Sequence, residues 1–157
     1  MNSLRLALIA IAPVAAAAIV GNLATMPKIA TWYAGLMKPS FNPPNWVFGP
    51  VWGILYATMA YAFFRVLAGQ PSPWTGAAVV LFLVQITLNA SWSLAFFAAE
   101  SPRAGLLVIF MLWIGILLTT WTFWQIDRWA SILLWPYLAW VSFAALLNLE
   151  IARVNPR

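Results

Sequence analysis

The sequence predicts an all-α membrane protein, a single domain over residues 1–157 in which five transmembrane helices form a bundle with a long first loop acting as a lid. The first observation is composition: 64% of the residues are hydrophobic and 7% are charged, whereas a soluble domain carries about 25% charged residues. A chain with so few charged residues cannot form a water-facing surface. Most of its surface must therefore face lipid. The second observation is length, because five spans of about 20 residues with short loops account for nearly the whole chain.

Five apolar stretches predict the spans, at about residues 4–25, 46–67, 74–98, 104–126 and 129–151. The first also has the pattern of a signal peptide, with Arg5 ahead of an apolar run that contains Ala15–Ala18. The run continues to Val20 and is long enough to cross a bilayer. We therefore expect it to be retained as a helix.

The segment 27–45 breaks the apolar pattern with four prolines and two lysines. Within it, residues 29–37 are expected to form a short helix at the membrane interface, with Trp32 and Tyr33 as amphipathic anchors. A loop of this length in a compact protein is often a lid or a binding loop. The alternative is a plain connector.

The loops after the second, third and fourth spans are short, and we therefore expect consecutive helices to be antiparallel neighbours. Pro13, Pro50 and Pro136 lie within spans. Prolines at such positions kink a membrane helix, and neighbouring helices must satisfy the carbonyl groups that they free.

The basic residues divide unequally between the two faces of a five-span bundle. The face of the N-terminus has three of them, and the opposite face has Lys28, Lys38, Arg103, Arg153 and Arg157. Lys and Arg collect on the cytoplasmic side of membrane proteins. We therefore expect a multi-pass protein of a bacterial membrane, with the first loop and the C-terminus in the cytoplasm.

Several kinds of chemistry are excluded by composition. The sequence has no Cys and no His, which excludes disulfides, thiolate nucleophiles, Cys–His metal sites and His-ligated haem. The basic residues form no run, so nucleic-acid binding is not expected. Glu100 and Asp127 lie at span ends, where we expect them to be solvated, and Glu150 is placed to pair with Arg153. No catalytic residue and no metal site are predicted.

A polar stripe follows the third span. Gln85, Asn89, Trp92 and Phe96 succeed one another at steps of four, three and four residues, which places them on one helical face. Two amides beside two aromatic rings would make a wall for a planar, partly polar ligand. Hydrogen bonding between helices inside the bundle explains the amides equally well.

Two other spans carry similar stripes. They are Trp52, Tyr56, Met59 and Phe63 in the second span, and Trp140, Ala144, Leu147 and Asn148 in the fifth. A small residue such as Ala144 among bulky ones leaves room for a ligand or seats a neighbouring helix. For any one stripe alone, packing in the core is the better interpretation.

Several motifs together resemble one known family. The first loop reads Trp32-Tyr33-x-x-Leu36-x-Lys38-Pro39-x-Phe41-x-Pro43-Pro44-x-Trp46-Val47-Phe48, the third span contains Leu88-Asn89-x-x-Trp92-Ser93, and the fifth contains Pro136-Tyr137-Leu138-x-Trp140 with Leu147-Asn148. These runs are similar to those of the tryptophan-rich sensory protein/translocator protein family (TspO/MBR, which includes the peripheral benzodiazepine receptor). Together they cover nearly the whole chain.

The resemblance implies a five-helix bundle, often a homodimer, with a pocket among the helices that the first loop closes. It implies binding of porphyrins, protoporphyrin IX or haem, as ligands with no obligatory cofactor, and of drug-like ligands such as isoquinoline carboxamides. Carried over position by position, the ligand-binding residues are Tyr33, Trp52, Asn89, Trp92, Trp140, Ala144 and Leu147.

The function that follows from this resemblance is a sensor or carrier of porphyrins in the membrane. The alternatives are light- or oxygen-dependent porphyrin breakdown and passive transport of porphyrin or sterol. The stretch 147–153 lacks the Tyr of the cholesterol-recognition pattern in animal members, so sterol binding in that mode is not expected. Small residues near Ala17 and Gly21, or near Gly76 and Ala77, are the candidates for a dimer face.

Overall fold

The computed structural model describes residues 2–156, and five of its helical segments are long and apolar enough to cross a membrane. The all-α bundle predicted from the sequence is thereby confirmed. The helices are α1 (Ser3–Ile29), α2 (Trp32–Gly35), α3 (Asn45–Ala68), α4 (Thr75–Ser93), α5 (Pro102–Trp124), α6 (Arg128–Ile132) and α7 (Trp135–Val154), and a π-helical turn, Leu94–Ala98, continues α4.

Two elements differ from the predicted boundaries. Helix α1 continues through Pro27 to Ile29. The hydroxyl of Thr31 donates to the carbonyl oxygen of Pro27 at 3.0 Å, so this carbonyl at the end of the helix has a hydrogen-bond partner. The short helix expected over residues 29–37 is consequently reduced to the single turn of α2.

The fifth span is divided into α6 and α7 rather than kinked within one helix. The break lies at residues 133–134, and Pro136 occupies the first turn of α7. A proline is tolerated there because the backbone N–H groups of the first turn have no partner within the helix. The predicted kink is therefore a helix boundary.

The helices pack in an order that differs from their order in the chain. Helix α1 packs against both α3 and α4, α4 packs against α5, and α5 packs against α7. Helices α3 and α4 follow each other in the sequence, but their contact is much less extensive. The expectation that consecutive helices are close neighbours therefore holds least well for the second and third spans.

One half of the bundle is filled by a stack of phenyl rings. The ring of Phe82 lies 4.0 Å from that of Phe63 and 6.0 Å from that of Phe123, with interplanar angles of 14° and 15°. All three side chains are fully buried. This stack joins α3, α4 and α5 at the end of the bundle away from the first loop.

Small residues let α1 approach its neighbours within the same chain. Ala17 and Gly21 are buried, and a Cβ atom at Gly21 would lie 3.3 Å from Ser93 Oγ of α4. The suggestion that Ala17 and Gly21 form a dimer face is therefore wrong, because other helices of the chain cover them. Gly76 and Ala77 are exposed, and the homodimer itself stays a prediction.

Ion pairs tie the ends of the helices together. Glu150 pairs with Arg153 at 2.9 Å, as predicted. Glu100 is exposed, as expected. It also lies 2.6 Å from Lys28 Nζ, so the ends of α1 and α4 that face the first loop are joined. The orientation in the membrane stays a prediction, and Arg157, which contributed to it, lies outside the described residues.

Asp127, which was also expected to be solvated, is half-buried, and its two oxygens have separate partners. Oδ2 lies 2.8 Å from Arg65 Nε, while Oδ1 accepts hydrogen bonds from the backbone N–H groups of Trp129 and Ala130 at the start of α6. One carboxylate thus caps a helix and pairs with a cation.

We expect the substitution Asp127→Ala to lower the free energy of unfolding by about 1–2 kcal/mol, because the helix cap is lost. Asp127→Asn keeps an acceptor oxygen for the cap and removes the charge. It should cost roughly 0.5 kcal/mol, since a partly exposed ion pair contributes little. Reversible unfolding in mixed detergent micelles measures both. Equal destabilisation by the two variants would contradict this division of roles.

Candidate functional site

A cavity of about 640 Å³ lies in the half of the bundle near the first loop. Its lining comes from α1, α2, the first half of α3, the second half of α4 with the π-helical turn, and α7. All seven residues predicted to bind a ligand line it: Tyr33, Trp52, Asn89, Trp92, Trp140, Ala144 and Leu147. The structure brings them together in one place, and their contact with a ligand stays a prediction.

Three tryptophans from three different helices form aromatic walls of the cavity. They are Trp52 of α3, Trp92 of α4 and Trp140 of α7. Each is braced by a further ring: Trp52 by Tyr56 at 5.4 Å, Trp92 by Phe96 at 5.3 Å, and Trp140 by Phe48 at 5.8 Å between ring centroids. Such contacts hold the indole planes in place because aromatic pairs favour particular geometries.

The indole of Trp92 is positioned by Asn148, which belongs to the stripe found in the sequence of the fifth span. Trp92 Nε1 donates to Asn148 Oδ1 at 3.0 Å, and Asn148 Nδ2 donates to the carbonyl oxygen of Pro102 at 2.7 Å. The Asn148 side chain is buried. It therefore joins α4, α5 and α7, and it also lines the cavity.

A second polar network crosses the bundle beside the cavity. Tyr56 Oη donates to Asn89 Oδ1 at 2.9 Å, Asn89 Nδ2 donates to Tyr137 Oη at 3.0 Å, and Tyr137 Oη donates to Gln85 Oε1 at 3.0 Å. Both amides of the third span thus make hydrogen bonds between helices. Asn89 also lines the cavity, whereas Gln85 lies in the core, so the predicted wall of two amides contains only one.

The second-span stripe divides in the same way. Trp52 and Tyr56 line the cavity, while Met59 and Phe63 belong to the packed core. A helical face is longer than the cavity, so its far members pack against other helices.

Two buried nitrogen atoms among the described residues have no hydrogen-bond partner, Trp140 Nε1 and Gln85 Nε2. A buried donor without a partner is costly and infrequent in folded proteins. Trp140 lines the cavity, so its N–H is the unsatisfied donor closest to any molecule bound there.

Tyr33 is the member of the predicted set that belongs to the first loop. Its side chain is buried against Phe96 and Phe97, with ring centroids 6.3 and 5.5 Å away. Burial raises the pKa of the phenol, and its hydroxyl donates a hydrogen bond to Asn42 Oδ1 at 3.0 Å. Tyr33 is therefore neutral at physiological pH.

The side of the cavity between α1 and α3 was not predicted from the sequence. Exposed residues of both helices line it, among them Asn22 and Met26 of α1 and Trp46, Gly49 and Gly53 of α3. Helix α1 is apolar on all sides, so periodicity gave no indication of which face borders the cavity. The available signal was the pair of polar side chains inside this span, Asn22 and Thr25, both of which line the cavity.

The sequence is similar to that of known proteins over most of its length. Residues 9–154 match the model of the TspO/MBR family. The chain is 49% identical to a tryptophan-rich protein TspO of Chlorobaculum tepidum, covering 83% of this chain and 84% of the relative. It is 39% identical to one of Archaeoglobus fulgidus over 99% of both chains, and 40% identical to the human translocator protein over 79% and 75% of the two chains.

We expect Gly105→Ala to disturb the wall at Trp92. A Cβ atom at this position of α5 would lie 2.8 Å from Phe96 Cδ2 and 3.0 Å from Asn148 Oδ1, so the ring and the amide would both have to move. Such overpacking costs about 1–3 kcal/mol. Unfolding in detergent measures this loss, and near-ultraviolet circular dichroism detects the movement of the aromatic rings.

Gly76→Ala is the matched control, because no atom lies within 4 Å of a Cβ placed there. In the exposed first turns of α4, alanine should leave stability unchanged or raise it by up to about 1 kcal/mol. The close approach at Gly105 would be disproved if the two variants unfolded alike.

Proposed function

Since the chain belongs to the TspO/MBR family, we propose that it binds a porphyrin, protoporphyrin IX or haem, in the membrane and acts as a sensor or carrier of this ligand. The ligand would occupy the cavity bordered by Trp52, Trp92 and Trp140. Drug-like apolar molecules such as isoquinoline carboxamides would occupy the same space.

The observation that carries the proposal is the placement of three tryptophans around one cavity. A volume of about 640 Å³ lies within the roughly 300–1,000 Å³ typical of small-molecule sites. A flat aromatic macrocycle stacks on indole faces, and each good aromatic pair contributes about 0.5–1.5 kcal/mol beyond burial. Because the sequence has no His and no Cys, haem would be held by stacking and shape rather than by a His or Cys bond to iron.

Charge determines how such a ligand would lie. None of the described residues that line the cavity is charged, and an unpaired carboxylate in an apolar interior is strongly unfavourable. The propionate carboxylates of a porphyrin would therefore remain at the end of the cavity near the first loop. Lys38 lies at that end, with Nζ 4.6 Å from the centre of the Tyr33 ring.

The first loop would act as the lid of this site. Tyr33 belongs to the loop and also lines the cavity, and its ring packs on the π-helical turn that continues α4. Phe41, further along the loop, contacts Phe143 of α7 with ring centroids 6.3 Å apart. Movement of the loop away from these partners would uncover the end of the cavity near Lys38.

We expect the triple variant Trp52→Leu, Trp92→Leu and Trp140→Leu to bind protoporphyrin IX at least about tenfold more weakly, because three stacking surfaces are removed. The dissociation constant is measured in detergent micelles from the absorbance of the porphyrin itself, so that the loss of tryptophan fluorescence does not affect the readout.

The control replaces three tryptophans by leucine at Trp121, Trp129 and Trp135, which are exposed and do not line the cavity. It should bind as tightly as the parent protein. Equal affinity of the two triple variants would show that porphyrin binds elsewhere, and the absence of saturable binding to the parent protein would refute the proposed ligand.

A further inference from the structure

The C-terminal end of α7 holds the first loop through a single amide side chain. Asn155 Oδ1 accepts a hydrogen bond from the backbone N–H of Met37 at 3.1 Å, and Asn155 Nδ2 donates to the carbonyl oxygen of Met37 at 2.9 Å. Both backbone groups of one loop residue are thus bonded by one side chain, 118 positions further along the chain. We refer to this pair of hydrogen bonds as the clasp.

Two further hydrogen bonds fix the position of Asn155, one from its own side chain and one to the residue that follows it. Its Nδ2 also donates to the carbonyl oxygen of Ile151 at 2.8 Å, one turn earlier in α7. The carbonyl oxygen of the next residue, Pro156, accepts a hydrogen bond from Arg103 Nη2 at 2.9 Å. The clasp therefore connects the loop to a fixed point on α5 and α7.

Other contacts of the loop with the later helices are apolar. Trp32 and Tyr33 pack on Phe96 and Phe97, and Phe41 packs on Phe143. Among the described residues, the clasp provides the only hydrogen bonds between residues 30–44 and residues 75–156. Apolar contacts between the loop and the helices impose little directional constraint. The two hydrogen bonds to Met37 require particular distances and angles, so they determine the position of the loop.

We propose that Asn155 is a positioning residue that holds the first loop closed, with Tyr33 against the cavity, and thereby sets how fast a ligand enters and leaves. This inference rests on the proposed function for the identity of the ligand. Asn155 is not among the residues that line the cavity, so it controls access without contributing to affinity. Its loss would lower the barrier to opening equally for the empty and the occupied protein.

The test compares Asn155→Ala with the parent protein by two measurements. Without ligand, amide hydrogen exchange of the loop should become faster, most clearly for the backbone N–H of Met37. With protoporphyrin IX, stopped-flow absorbance should show that the association and dissociation rate constants both rise about three- to tenfold, as expected for the loss of two exposed hydrogen bonds. The dissociation constant should remain within about a factor of two.

Two further variants make the result specific. Asn155→Asp keeps the acceptor for Met37 N–H but places an acceptor-only carboxylate oxygen against the carbonyl oxygens of Met37 and Ile151, so its rates should rise at least as much as those of Asn155→Ala. Arg153→Ala removes the nearby pair with Glu150 and does not contact the loop, so loop exchange and binding kinetics should not change. Unfolding measurements confirm that each variant is folded.

The outcomes separate the two proposals. Faster loop exchange without porphyrin binding to any variant would support the clasp and refute the proposed ligand. Unchanged loop exchange in Asn155→Ala would refute the clasp whether or not porphyrin binds. A rise in the dissociation rate alone, with a matching loss of affinity, would also refute it, because Asn155 would then act as part of the binding surface.

Discussion

The side-chain amide of Asn148 is the interaction on which the cavity depends most directly. It accepts from the indole of Trp92 and donates to the first carbonyl of α5 at Pro102, so three helices meet at one group. Inside a bundle surrounded by lipid, water does not replace a lost hydrogen bond, so the arrangement that satisfies the amide is strongly preferred. Gly105 belongs to the same constraint, because only a residue without a side chain leaves room for the amide and for Phe96.

The network from Tyr56 through Asn89 and Tyr137 to Gln85 applies the same constraint to α3, α4 and α7. The packing of apolar side chains alone would favour closing a cavity, since every void loses dispersion contacts. Two polar networks on either side hold the helices at fixed distances and oppose that collapse. The phenyl stack in the other half of the bundle supplies the dense packing that the half containing the cavity lacks.

The sequence was sufficient for the spans, because their apolar length is a property of the chain alone. Helical spacing placed the three tryptophans and Asn89 on recognisable faces, but it did not separate a cavity wall from core packing, and the resemblance to the family selected them. The sequence could not show that Gln85, one turn from Asn89, lies in the core and does not line the cavity. The extent of a cavity depends on the positions of the other helices. The passage of α1 through Pro27, the break before α7 and the bonds of Asn155 to Met37 are also tertiary features. No local pattern in the sequence encodes them.

The π-helical turn at Leu94–Ala98 accommodates one residue more than an α-helical turn. The backbone N–H of Ala99 bonds to the carbonyl of Leu94, five residues back, at 2.8 Å. Because the wider turn absorbs the additional residue, the residues before and after it keep nearly the orientation that a continuous α-helix would give them. The effect is therefore local, at the surface where Phe96 and Phe97 pack against Trp32 and Tyr33. A change of length within this turn would alter the surface on which the loop packs and leave the helices around it in register.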